Sequence, residues 1–278
     1  MAERETVHKV KDLIEPTPEE IKKMELEEGG VEKIVVEAEE AGEKVKHKKE
    51  MTLAEKRAER EKEEKKERLA SWSPKTQIGK DVKAGKEKDI DNILKNRKKI
   101  LESEIVDFLL DLGSELLSIG QAKGKFGGGK RRAWRQTQKK TKEGNVITFS
   151  AMAVVGDRGG HIGIGYGKAK ETLPAREKAV RNAKLNIMKM ERGCGNFDCS
   201  CNEKHSLPFV VMGKAGSIRV KLIPAAQGTG LVIGDEGKKI LRLAGIKDAY
   251  SVSKGHVKTT FNFAKAILDA LNKTNKIK

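Results

Sequence analysis

Apolar positions in this 278-residue chain fall into blocks of unequal strength. The first fifty residues hold only short patches, such as Val10, Leu13 and Ile14, or Val31, Ile34, Val35 and Val36. Thr17-Pro18-Glu19-Glu20 reads as a helix start, with Thr17 capping and Glu20 completing a capping box, on an element too short to stand alone. Met51 to Ala70 predicts a charged helix with Glu61/Lys65 and Glu64/Arg68 pairs but no apolar stripe. Residues 1–70 are therefore expected to be a charged extension, helical or partly disordered. Ser71-Trp72-Ser73-Pro74 ends it. From Ile90 to Leu117 apolar residues recur at helical spacing, with Ile105, Phe108, Leu109, Leu112 and Leu116 on one face, which predicts a helical lead-in over 71–118.

Beyond it the period changes. Val146 to Val155, rich in β-branched residues, is a predicted strand; Gly156-Asp157-Arg158-Gly159-Gly160 is a turn, and His161 to Gly167 is the hairpin partner. Pro174 to Met190 predicts a helix that turns Ala175, Ala179, Ala183 and Ile187 toward the sheet. After a cysteine-bearing loop, 192–206, strands are expected at Leu207 to Met212, Ser217 to Ile223 and Asp248 to Ser253. Helices are expected at Asp235 to Ala244 and at Thr260 to Leu271, where Phe263, Ile267 and Leu271 stand four apart. The pattern gives two small domains of mixed helix and sheet, 119–191 and 207–278.

Charge sharpens this division. Lys and Arg number 58 against 41 Asp and Glu, a net +17, yet residues 1–70 alone are net −4. Residues 71–278 carry 41 basic and 20 acidic groups, net +21. Such an excess repels itself unless a polyanion neutralises it, and nucleic acid is the polyanion this footprint fits. No stretch approaches the ~18 apolar residues of a membrane span. The first residues lack the apolar core of a signal peptide, and three cysteines within eight residues make no disulfide framework. The expected location is cytoplasmic.

The chemistry-bearing residues cluster in a few places. Gln121 to Gly144 holds nine Lys or Arg, among them Lys123, Lys125, Lys130, Arg131, Arg132, Arg135, Lys139 and Lys140, interleaved with glycines, Phe126 and Trp134. Cations neutralise phosphates, glycines let backbone approach them, and the aromatics could stack on unpaired bases. Within it Gly124 to Lys130 matches seven positions of a phosphate-binding P-loop, but Arg131 stands where Ser or Thr must hold magnesium. Gly163, Gly165 and Gly167 leave one strand face bare, for another chain or for a closely packed helix. Cys194-x4-Cys199-x-Cys201-x3-His205 supplies four ligands suited to one tetrahedral, structural zinc. Gly234-Asp235-Glu236-Gly237 looks like a KH-domain GXXG loop, though two acids there oppose a nucleic-acid backbone. No nucleophile set stands out, the other histidines are scattered, and nothing pairs two carboxylates, so no enzyme is expected.

Phe149 to Glu171, FSAMAVVGDRGGHIGIGYGKAKE, resembles the signature of the family of the universal fifth protein of the small ribosomal subunit. Arg192-Gly193-Cys194-Gly195, His205 to Phe209, Gly213 to Ser217, Leu222 to Ala225, Leu243 to Asp248 and Thr260 to Ala266 resemble its archaeal branch. The likeness spans about residues 72–275. It implies an α+β fold, with a double-stranded-RNA-binding-like N-terminal domain and a C-terminal domain of left-handed β-α-β type. It also implies a structural constituent of the small subunit that binds ribosomal RNA where mRNA enters, beside the subunit's fourth protein, and supports translational accuracy. The RNA-facing set it points to adds Gly156, Asp157, Arg158, Gly159, Gly160, Lys168 and Lys170 to the basic loop. A free regulatory RNA-binding protein with a KH-like C-terminal half is the alternative.

Overall fold

The computed structural model describes residues 69–96, 98–121, 131–201 and 203–276, with Glu63 and Glu67. The readings at Thr17–Glu20, almost all of Met51–Ala70 and the P-loop-like Gly124–Lys130 lie outside the described residues. Ser71–Lys278 forms one compact unit.

The lead-in is not one continuous helical face. It contains α1 (Gln77–Lys83), α2 (Ile90–Lys95) and α3 (Ser103–Leu109), followed by a strand, β1 (Gly113–Leu116). Val82, Ile90, Ile93, Ile100, Ile105 and Val106 make a small core of their own, against which Leu109 and Leu112 pack. Phe108 is instead 51% exposed. The helix stops because Leu110 turns extended and Gly113 pairs with Gly156, which satisfies backbone groups that a longer helix would leave bare on the sheet edge.

The first sheet is built on the long strand β3 (Gly144–Gly156), whose one edge takes β1 and β2 (Trp134–Thr141) in succession. Its other edge takes β4 (His161–Ala169), the expected hairpin partner, and β5 (Ile187–Lys189) follows. Two corrections arise here. The basic loop contains a strand, β2, hidden in the sequence because Arg135, Gln136, Gln138, Lys139 and Lys140 are all exposed. Helix α4 (Thr172–Leu185) ends before Ile187, which leaves the alanine row and pairs with Gly163 as part of β5.

Ala175, Ala179 and Ala183 are fully buried on that sheet. A methyl group added to Gly163, Gly165 or Gly167 would lie 2.2, 2.1 and 2.2 Å from α4 backbone atoms. The glycine face is therefore a helix seat, not a surface for another chain.

The second sheet runs β6 (Val211–Ala215), β7 (Ile218–Pro224), β9 (Ala249–Lys254) and β8 (Leu231–Val232). Strands β8 and β9 are parallel and joined through α5 (Asp235–Ala244), which is the expected β-α-β unit. The first strand begins later than predicted, since Leu207 is fully buried ahead of it. Helix α6 (Thr260–Lys273) buries Phe263, Ile267 and Leu271 as its spacing predicts. One cluster joins the modules: Met152, Val154, Ile162 and Ile164 of the first sheet share a continuous core with Ile240, Leu241 and Leu243 of α5.

Candidate RNA interface and Cys/His centre

Because strand neighbours alternate faces, the sheet register sorts the predicted cations. Arg135 pairs with Ser150 and Ser150 with Lys168, so these three form one row across β2, β3 and β4. Lys139 lies on the same face of β2, opposite Val146. Arg135, Lys139 and Lys168 are all exposed, as is Lys170 beyond the strand. Lys140 points to the α4 side, also exposed. Tyr166, two residues before Lys168 and so on the same face, meets Phe261 edge-on at 5.2 Å.

Trp134 is not open for base stacking as its loop position suggested. Its ring carries Arg176 at 4.9 Å and Arg132 at 5.8 Å, which engages both guanidinium groups in cation–π contact. Arg131 donates to the Lys258 carbonyl at 3.3 Å. Lys123, Lys125 and Lys130 lie outside the described residues.

The backbone of the signature turn 156–160 packs against the end of α5, while Arg158 and Gly159 stay exposed. A methyl on Gly156 would lie 2.3 Å from the Leu243 carbonyl oxygen, and Arg158 N–H donates to that same carbonyl at 3.0 Å. Arg158 takes a left-handed φ of 56° and fits beneath Gly245, whose own φ of 85° closes α5. Arg192 donates to the Arg158 and Gly159 carbonyls at 3.0 and 2.9 Å. Asp157 accepts from Gly159 N–H at 2.6 Å and meets His161 Nδ1 at 2.6 Å.

His161 also reaches Asp91 through Nε2 at 2.8 Å, and Lys189 pairs with Asp91. Two carboxylates are thus brought together after all, by residues that sequence spacing left scattered. Both imidazole nitrogens are engaged by carboxylates, Nδ1 by Asp157 and Nε2 by Asp91.

Asp235 and Glu236 begin α5, as an N-terminal pair of acids should. Glu236 accepts from Ser118 N–H at 2.8 Å and from Lys239 at 3.1 Å, which ties the GXXG middle into the fold.

The four Cys/His ligand atoms converge to within 4.8 Å of one another and could hold a metal ion. Cys199 Sγ is 3.0 Å from Cys201 Sγ and 3.6 Å from His205 Nε2. The hydrogen bond between the two thiols brings Cys199 down to about 6 and pushes Cys201 up to about 11. His205 Nδ1 is 2.8 Å from Asp248 Oδ2, a buried carboxylate partner that sequence reasoning missed.

The chain is thus a protein of two α+β modules that carries exposed cations on one sheet and a Cys/His group able to hold a metal ion. Comparison with known proteins gives the family. The model described as "Ribosomal protein S5, N-terminal domain" matches residues 132–191, and "Ribosomal protein S5, C-terminal domain" matches 213–278. The "Small ribosomal subunit protein uS5" of Nanoarchaeum equitans is 47% identical over 211 residues, 76% of this chain and 90% of that protein. Its namesake in Aeropyrum pernix is 46% identical over 207 residues, 74% and 88% of the two chains. The chain belongs to the uS5 family of small-ribosomal-subunit proteins, which are structural and not enzymes. Among the described residues no helix is long and apolar enough to cross a membrane.

Proposed function

We propose that this protein is a structural constituent of the small ribosomal subunit and binds ribosomal RNA through exposed Arg135 and Lys168, which flank buried Ser150 in one row, with exposed Lys139 beside them. These three exposed cations on one sheet face, in a unit whose net charge is +21, are the observation that carries the reading. Phosphate neutralisation supplies the affinity, and Lys140, Lys170 and the basic loop extend the positive field. Gly156, Asp157, Gly159 and Gly160 contribute by shaping the turn, leaving the exposed Arg158 side chain as its cationic contact.

The finer reading places this surface where mRNA enters the subunit, next to the fourth protein, in a cytoplasmic ribosome whose accuracy it supports. Loop cations gripping the message backbone would then help structured messages through. One structural zinc on Cys194, Cys199, Cys201 and His205 completes the reading. Affinity for a small-subunit ribosomal RNA fragment, measured against salt, tests it. On duplex RNA log K should fall with log salt by roughly 0.9 per phosphate contact, and a flat dependence contradicts the proposal.

A further inference from the structure

We propose that the Cys/His centre is a zinc latch that fixes the joint between the two sheets, a role that rests on the zinc reading above. The donor set suits the metal. Zinc with Zn–S near ~2.3 Å keeps tetrahedral ligands about 3.8 Å apart, and the four donors here already lie within 4.8 Å. Asp248 fixes the imidazole: Nδ1–H donates to the carboxylate, which leaves the Nε2 lone pair facing the thiols. The His205 and Asp248 side chains are 1% and 5% exposed, so this orientation is locked. Three thiolates and an imidazole select a borderline-soft ion over magnesium or calcium, and four protein ligands make the site closed and structural.

Asp248 ties the centre to the second module, and Arg192, two residues before Cys194, ties it to the first. Asp248 Oδ1 accepts from Gly230 N–H at 2.7 Å, and its carbonyl accepts from the Ser206 hydroxyl at 2.5 Å. Ser206 also forms a backbone bridge with Gly193, donating and accepting at 2.9 and 3.0 Å. One residue earlier, Arg192 grips the 158–159 turn of the first sheet and the Gly245 carbonyl behind α5. Among its described residues the loop between these anchors holds few regular backbone bonds, Gly195 N–H to the Leu207 carbonyl and Cys199 N–H to the Asn196 carbonyl being two of them. A metal cross-link across it therefore sets how firmly Arg192 holds the joint.

The test uses the full chain purified under reducing conditions. Elemental analysis should find about one zinc per chain, and cobalt exchanged into the site should show thiolate charge transfer with tetrahedral bands. Both signals should vanish in Cys199→Ser/Cys201→Ser, and Asp248→Asn should weaken metal binding by about 10–100-fold. Hydrogen exchange before and after chelation reads the latch. Protection of the Gly193, Ser206 and Arg158 amides should fall at least tenfold while the β3–β4 ladder stays protected. Zinc-free protein with three titratable thiols, or a Cys199–Cys201 disulfide, overturns both the zinc reading and the latch. Bound zinc whose removal leaves those amides unchanged, or exposes every amide alike, overturns the latch alone. Wild-type metal content and chelation decide the matter even if the serine variant fails to fold.

Discussion

His161 Nε2 lies 2.8 Å from Asp91 Oδ1, although 70 positions separate them in the chain. Helix α2 of the lead-in is thereby fastened to the start of β4, with Asp157 on the opposite imidazole nitrogen and Lys189 on the far carboxylate oxygen of Asp91. The hydrogen bond to Asp157 raises His161 above its ordinary 6.5, against burial and with help from Asp91. Burial works to raise Asp157, but the His161 side chain and the His161 and Gly159 amides bring it from 3.8 down to about 2.

These shifts fix a pH profile. The His161 contribution is complete below its unfolded 6.5 and is lost as pH climbs through its raised folded value. The Asp157 contribution is complete above 3.8 and is lost as pH falls toward about 2. Urea midpoints should therefore be highest, for this cluster, between roughly pH 4 and 6.5, declining on both sides. His161→Gln should lower the plateau and flatten the alkaline decline.

The glycine face of β4 predicts a second result. A methyl on Gly165 would lie 2.1 Å from the Ala183 nitrogen, where α4 cannot yield without leaving the sheet. Gly165→Ala should cost about 3 kcal/mol or more by denaturant unfolding, at the upper end of overpacking penalties.

Neighbouring acids at the start of α5 should behave differently. Asp235 has a 92% exposed side chain, so Asp235→Lys should change stability little. Glu236→Lys removes the acceptor for Ser118 N–H and should cost about 1–3 kcal/mol. Neither change should strengthen single-strand RNA binding, whereas a KH-like half would respond strongly to both. Unfolding curves and single-strand titrations on the same two variants separate the cases.

The cation row carries its own quantitative test. Replacing Arg135, Lys139 and Lys168 by Gln should lower RNA affinity at every sequence tested. Each phosphate that is no longer neutralised should reduce the salt slope by roughly 0.9 on duplex RNA. Filter binding over a salt series reads both.

Much of the fold was legible because its elements declare themselves locally. Helix α5 starts at Asp235 and ends at Ala244 as its first-turn acids and Gly245 indicate, and Phe263, Ile267 and Leu271 trace the buried stripe of α6. Strand β2 was illegible for the opposite reason: its side chains are mostly exposed and polar, so nothing alternates, and only pairing with β3 makes it a strand. Ile187 misled because it extends the Ala175–Ala179–Ala183 series while its backbone has already passed into β5. The Cys/His group, whose four donor atoms could hold a metal ion, was readable from spacing alone. Asp248 and Asp91 were not, because each meets its histidine only through tertiary packing.

Sedimentation of a cell lysate at moderate salt tests the central claim most directly. The protein should travel with the small ribosomal subunit and shift toward the top of the gradient when Arg135, Lys139 and Lys168 are neutralised. Wild-type protein that stays at the top, free of any RNA-containing particle, would contradict a ribosomal role.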